Sequence, residues 1–244
     1  MSKTLLSGGL IAGALAGVVV ALLQRWLIQP LIIEAERYET GELALPLVQT
    51  EDQPGMSTTI QPDDMQIEGT HLSRAGLTVI FLTLTWCGFG LLAGASMSAA
   101  QMSTNVRPFS AVGIAVSGFA VAFLAPALGL PPELPGMPAA NLSSRQLWWI
   151  LTLVATAAGL ALTLRFENWA ARGVALAVIS LPHVVGAPTV PVAAPMIPPD
   201  LAGLYVARVL GVNFLGWLVL GALLERLLAG PLGRKLPTYR KMLD

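Results

Sequence analysis

The chain has 244 residues, 55% of them hydrophobic and 11% charged, and its 14 basic side chains balance its 14 acidic ones. An ordinary soluble domain carries roughly 25% charged residues, so this composition argues against one. Zero net charge, with no basic run interleaved with aromatics, argues against nucleic-acid binding.

The charges gather between apolar runs of about 20 residues, the length that crosses about 30 Å of hydrocarbon as a helix. Barrel strands would be about ten residues long and alternate in polarity, and no such alternation is present. The expected fold is therefore all-α: a polytopic membrane bundle of about six transmembrane helices, or five if the shortest run does not cross. The lipid bilayer is its first partner.

The first span runs from about Leu5 to Ile33. Lys3 and the apolar stretch behind it imitate a signal peptide, but the stretch runs on through Ile33 without a convincing small-residue cleavage site, so the segment reads as a retained span. Gly9, Gly13 and Gly17 share one helical face, and Gly90, Gly94 and Ser98 repeat the spacing in the second span, Gly76 to Ala99. Small residues at four-residue spacing let helix backbones approach closely in lipid. Packing within the chain is the simpler use of these faces, and a homo-oligomer contact is the alternative. Cys87, the single cysteine, has no intrachain partner and reads as a small packing residue.

The third span covers about Phe109 to Gly129 and the fourth about Leu147 to Leu164, opened by Trp148 and Trp149, which suit a membrane interface. The fifth run, Trp169 to Val185, is short and contains Pro182, which should break or end the helix near His183. The sixth span covers about Leu204 to Leu228, with Asn213 expected to find a partner across a helix interface. The whole, 1–244, reads as one membrane domain with an acidic outer loop at 34–73 and a basic tail at 229–244.

Basic residues set orientation. With the N-terminus inside, Lys3, Arg107, Arg165, Arg172, Arg226, Arg234, Lys235, Arg240 and Lys241 face the cytoplasm. Arg25, Arg37, Arg74, Arg145 and Arg208 then lie outside or near the outer interface. The expectation is that both termini are cytoplasmic.

Three separated segments carry a family resemblance: LLQRWLIQPLIIEAERYE at the end of the first span, LGLPPELPGMPAANLSSRQLWW before the fourth, and LPHVVGAP after the fifth. Together they resemble the CbtA proteins, predicted cobalt transporter subunits, over nearly the whole chain. The resemblance implies a subunit for cobalt uptake in the inner membrane of bacteria that make cobalamin. It also implies a partner of the CbtB type, a small single-span protein with a histidine-rich terminus. Co²⁺ would be the transported ion, and no tightly bound cofactor is expected.

The residues themselves offer no enzyme motif. No G-x-x-x-x-G-K-[ST] loop, H-E-x-x-H pair or G-x-S-x-G elbow is present. Co²⁺ accepts imidazole nitrogen and carboxylate oxygen, which makes histidines and acids at membrane depth the candidate metal ligands. His183 is the leading one, placed at a proline-interrupted helix end where ion sites of transporters occur; a hydrogen bond to a neighbouring helix is its structural alternative. His71, before the second span, reads more simply as an interfacial residue. Glu34 and Glu36 follow the first span at the level of His183 and could share an outer vestibule with it, or could be solvated charges paired with Arg37. The remaining loop acids, including Glu51, Asp52, Asp63 and Asp64, could concentrate cations by their summed field. Met97 and Met102 read as packing.

Overall fold

The computed structural model describes residues 2–43, 67–102, 110–190 and 197–229. Its elements are all helical: α1 (Ser2–Leu23), a π-helical turn (Gln24–Ile28), α2 (Gln29–Glu39), α3 (Ile67–Met102), α4 (Ala111–Phe119), a second π-turn (Ala120–Leu124), α5 (Ala125–Ala127), α6 (Leu142–Arg165), α7 (Trp169–Val185) and α8 (Pro199–Ala229). Side-chain caps set three of the starts. Ser110 Oγ accepts from Gly113 N at 3.0 Å, Asn141 Oδ1 from Ser143 N at 3.1 Å, and Asn168 Oδ1 from Ala171 N at 2.7 Å. Each cap satisfies a backbone donor that the first helical turn leaves without an intrahelical partner.

Four helical segments, Leu5–Glu39, Gly76–Ala99, Leu142–Arg165 and Pro199–Leu227, are long and apolar enough to cross a membrane, and two shorter apolar ones, Val112–Ala127 and Trp169–Val185, accompany them. The 17 residues of α7 extend about 25 Å, somewhat less than the hydrocarbon thickness. The first helical segment is longer than its apolar run implies, because Glu34, Glu36 and Glu39 still belong to α2. The acidic stretch therefore opens on a helix.

α1 lies along α3, α8 packs between α1 and α4, and α6 with α7 forms a hairpin joined to the rest through the second π-turn and α5. The α1–α3 contact uses the glycine stripe. A Cβ on Gly9 would come within 2.8 Å of the Gly90 carbonyl oxygen, on Gly13 within 2.7 Å of Cys87 Cα, and on Gly17 within 2.8 Å of Thr83 Cα. Backbone thus meets backbone, and the Cys87 thiol points at the Leu10 carbonyl oxygen, 3.7 Å away. These glycine faces pack within the chain.

The core between α1, α3, α4 and α8 is aromatic. Trp86 and Trp217 are buried, with ring centroids 5.9 Å apart, and Phe89 meets Trp86 edge to face at 5.5 Å. Met97 packs against the same cluster, as a space-filling thioether does; the side chain of Met102 lies outside the described residues. Asn213 departs from expectation, since its Nδ2 donates to Val209 O of its own helix at 2.8 Å. That carbonyl also takes the helical bond of the Asn213 backbone N–H, and the short amide side chain folds back onto its second lone pair.

A second, smaller cluster of Leu31, Ala35, Leu134, Ile197 and Leu201 fastens α2, the 128–141 connection and the start of α8 together. The Glu133–Arg145 ion pair joins that connection to the first turn of α6, and both side chains are about three-quarters buried.

Candidate functional site

The candidate ligands of the described chain lie toward one end of the bundle, where α2 ends, α7 ends and α8 begins. Glu34 is exposed on α2, and among the described residues no hydrogen bond or ion pair engages it. Glu36, two residues on, is half-buried. Arg37 does not pair with either. Its Nε donates to Glu42 Oε2 at 3.3 Å, on the exposed surface, a kind of pair that contributes about 0 to 1 kcal/mol. Glu39 lies against Gly136, bringing the 128–141 connection over the acidic helix end.

His183 is half-buried in the last turn of α7. Its ring meets Trp148 of α6 edge to face, with centroids 5.7 Å apart and planes at 78°. The Trp148 Nε1–H donates to Pro182 O at 3.1 Å, and the same carbonyl accepts from Gly186 N at 3.0 Å. α7 carries Pro182 buried inside it and ends at Val185, close to His183 as expected, where Gly186 takes φ of +89°. Trp148 departs from expectation as an interface residue: it is buried, and only Trp149 beside it is exposed. The N–H that Pro182 lacks would have bonded the carbonyl of Val178, four residues back; the indole bond is instead a second one on Pro182 O. That carbonyl is therefore already engaged, and the group left for chemistry is the imidazole.

α2 packs on α8 and the 128–141 connection, whereas α7 packs on α6. The carboxylates and His183 thus stand on different helix pairs, and among the described residues no three His, Cys, Asp or Glu side chains gather as a metal-holding group. His71 lies in the first turns of α3, but its side chain, like all of Glu51, Asp52, Asp63 and Asp64, lies outside the described residues.

One feature of this region escaped sequence reasoning. Arg208, half-buried in α8, donates from Nη1 to the carbonyl oxygen of Leu27 at 2.7 Å, inside the first π-turn. Both π-turns lie just before a proline, Pro30 and Pro126. A proline within a span was the available signal, because its ring clashes with the carbonyl four residues back and a widened turn is one way to accommodate it.

Comparison with curated proteins and with solved structures finds no match to the chain. The family model described as a probable cobalt transporter subunit (CbtA) matches residues 2–229. Nearly all of the chain is covered, including the acidic end of α2, the 128–141 connection and the His183 turn, and the chain belongs to the CbtA family of transporter subunits.

Proposed function

We propose that this chain is the metal-conducting membrane subunit of a cobalt uptake system, supplying cobalt for cobalamin synthesis, with Glu34, Glu36 and His71 collecting Co²⁺ and His183 taking it within the membrane. Family membership carries the reading. The side-chain chemistry supports it: the exposed Glu34, the half-buried Glu36 and a half-buried imidazole belong to one end of the bundle, and both ligand types suit a borderline divalent ion. Six spans with both termini in the cytoplasm of a bacterial inner membrane, and a histidine-rich single-span partner of the CbtB type, complete the proposal.

The rival reading is an accessory subunit that docks on a larger complex through its glycine faces. It loses ground because Gly9, Gly13, Gly17 and Gly90 are occupied in the α1–α3 contact.

No nucleotide is needed for uptake. Two charges moving through 100 mV release about 4.6 kcal/mol, enough for roughly thousandfold accumulation. Purified protein in liposomes, given an inside-negative potassium diffusion potential, should accumulate radioactive cobalt and lose it when the potential is collapsed. Equal retention by protein-free liposomes overturns the reading. Neutralising Glu51, Asp52, Asp63 and Asp64 together should raise the apparent KM several-fold without lowering maximal uptake. That effect should fade as salt shortens the screening length below about 8 Å. A collapse of maximal uptake at every salt concentration would instead make them direct ligands. Reporter fusions at the two termini test the topology, and periplasmic activity at the C-terminus would replace six spans with five.

A further inference from the structure

The first π-turn changes which face of the first helix is buried. Ala12, Ala16 and Val20 are each at most 1% exposed against the bundle. Eighteen residues make five α-helical turns, so an unbroken helix would place Glu34 in line with Ala16, at 0% exposure, and Ile28 in line with Leu10, at 44%. The buried residues are instead Ile28 and Ala35, at 3% and 0% exposure, while Leu27 is 39% exposed and Glu34 stands on the surface. The widened turn inserts one residue, since its bonds run from i to i+5. Everything after it is therefore turned by about 100° relative to the α-helical continuation. In the α-helical register Glu34 would face the interior where Ala35 now lies.

Two features hold the π register. Pro30 lacks the N–H that an α-helical turn would use at that position. Arg208 donates to Leu27 O from α8, about nine residues and so about 13 Å in from the start of that helix. Among the described residues no carboxylate pairs with Arg208, so this carbonyl is its anchor. A charged side chain partway along a span is costly and calls for a partner, and Leu27 O is the partner Arg208 has. The alternative register also has a physical condition attached. A bare carboxylate facing an apolar interface is strongly disfavoured, and a bound cation removes much of that penalty.

We propose that Arg208 is a positioning residue for transport: through Leu27 it holds the π-turn, and the π-turn is a register switch that turns Glu34 between the outer surface and the interior of the bundle. The empty carboxylate stays outside because the π register is latched. A cation on Glu34 lowers the barrier to turning inward, and release of Leu27 by Arg208 lets the turn tighten to α. This rests on the proposal above that Glu34 receives the transported ion.

The test reads register directly and does not depend on transport. In a C87S background, single cysteines are introduced as E34C and A35C, and reconstituted protein is labelled with a membrane-impermeant maleimide. The latched protein should label at E34C at least tenfold faster than at A35C. Adding R208Q should reverse the order, slowing E34C and speeding A35C. R208K, which still offers an N–H, should keep the original order. P30A, which restores the backbone donor without touching Arg208, should reverse it too and serves if R208Q does not fold. With Glu34 intact, R208Q should raise the cobalt KM at least tenfold while R208K changes it less than threefold. Labelling unchanged by both R208Q and P30A overturns the switch. So does acceleration at both positions together, which is local unfolding and not a change of register. If the wild-type protein carries no cobalt but the labelling order still reverses, the transport reading fails and the switch stands.

Discussion

Cobalt uptake by H183Q is expected to fall by at least about 100-fold in apparent affinity, with protein abundance unchanged. Loss of a group that merely orients a metal ligand typically weakens binding 10- to 100-fold, and removal of the ligand itself should do no less. Gln keeps polarity and approximate volume, and its amide is a far poorer donor to a borderline divalent ion than imidazole. The structure supplies the control that a sequence could not. His183 also leans on the Trp148 ring, so a packing role predicts a stability defect, not an affinity defect. W148F keeps a ring against His183 and removes the indole N–H that reaches Pro182 O. It should lower thermal stability by about 1 kcal/mol, the net worth of an ordinary hydrogen bond, and leave the cobalt KM within about threefold. Uptake by H183Q with wild-type affinity would remove His183 from the metal path.

The helical architecture was legible because hydrophobic period and run length are written locally. Apolar stretches such as Gly76–Ala99 have one stable solution in a bilayer, a helix with its backbone bonds satisfied internally. The use of Gly9, Gly13 and Gly17 followed from spacing for the same reason. What was not legible were the places where a distant residue completes a local defect. Pro182 announced the end of α7, which comes at Val185, but not that the indole of Trp148, 34 residues earlier, donates to the Pro182 carbonyl. Pro30 lies in plain view, yet the Arg208 side chain that bonds the π-turn before it is 181 residues away, and the consequence of that turn for Glu34 is a phase slip of one residue that no single position displays. Asn213 failed in the other direction: its partner proved to be local where a distant one was expected. The candidate ligands were identified by residue type, and their separation onto the α2–α8 and α6–α7 pairs could come only from packing.

The largest expected effect on stability is that of G13L. Gly13 faces the backbone of α3, where a Cβ would stand 2.7 Å from Cys87 Cα, well inside van der Waals contact, and backbone atoms cannot rotate away as a side chain does. A leucine therefore forces α1 off α3. Overpacking that side chains can absorb costs about 1–3 kcal/mol, and this change must also open the interface holding Trp86, which is 1% exposed and central to the aromatic core. A loss above about 3 kcal/mol follows, in the range of the larger core lesions. Purified G13L in detergent should melt well below wild type or fail to accumulate in membranes. The matched control is G88L on the same helix pair: Gly88 has open space where its Cβ would be, so leucine there should shift stability by no more than about 0.5 kcal/mol. Melting by tryptophan fluorescence and particle size by chromatography separate the two uses of the stripe. If G13L melts like wild type but runs as a smaller particle, the stripe joins copies of the chain and the α1–α3 contact is wrong. If it melts low at unchanged particle size, the close approach of α1 and α3 is what holds the first helix, and the switch it carries, against the bundle.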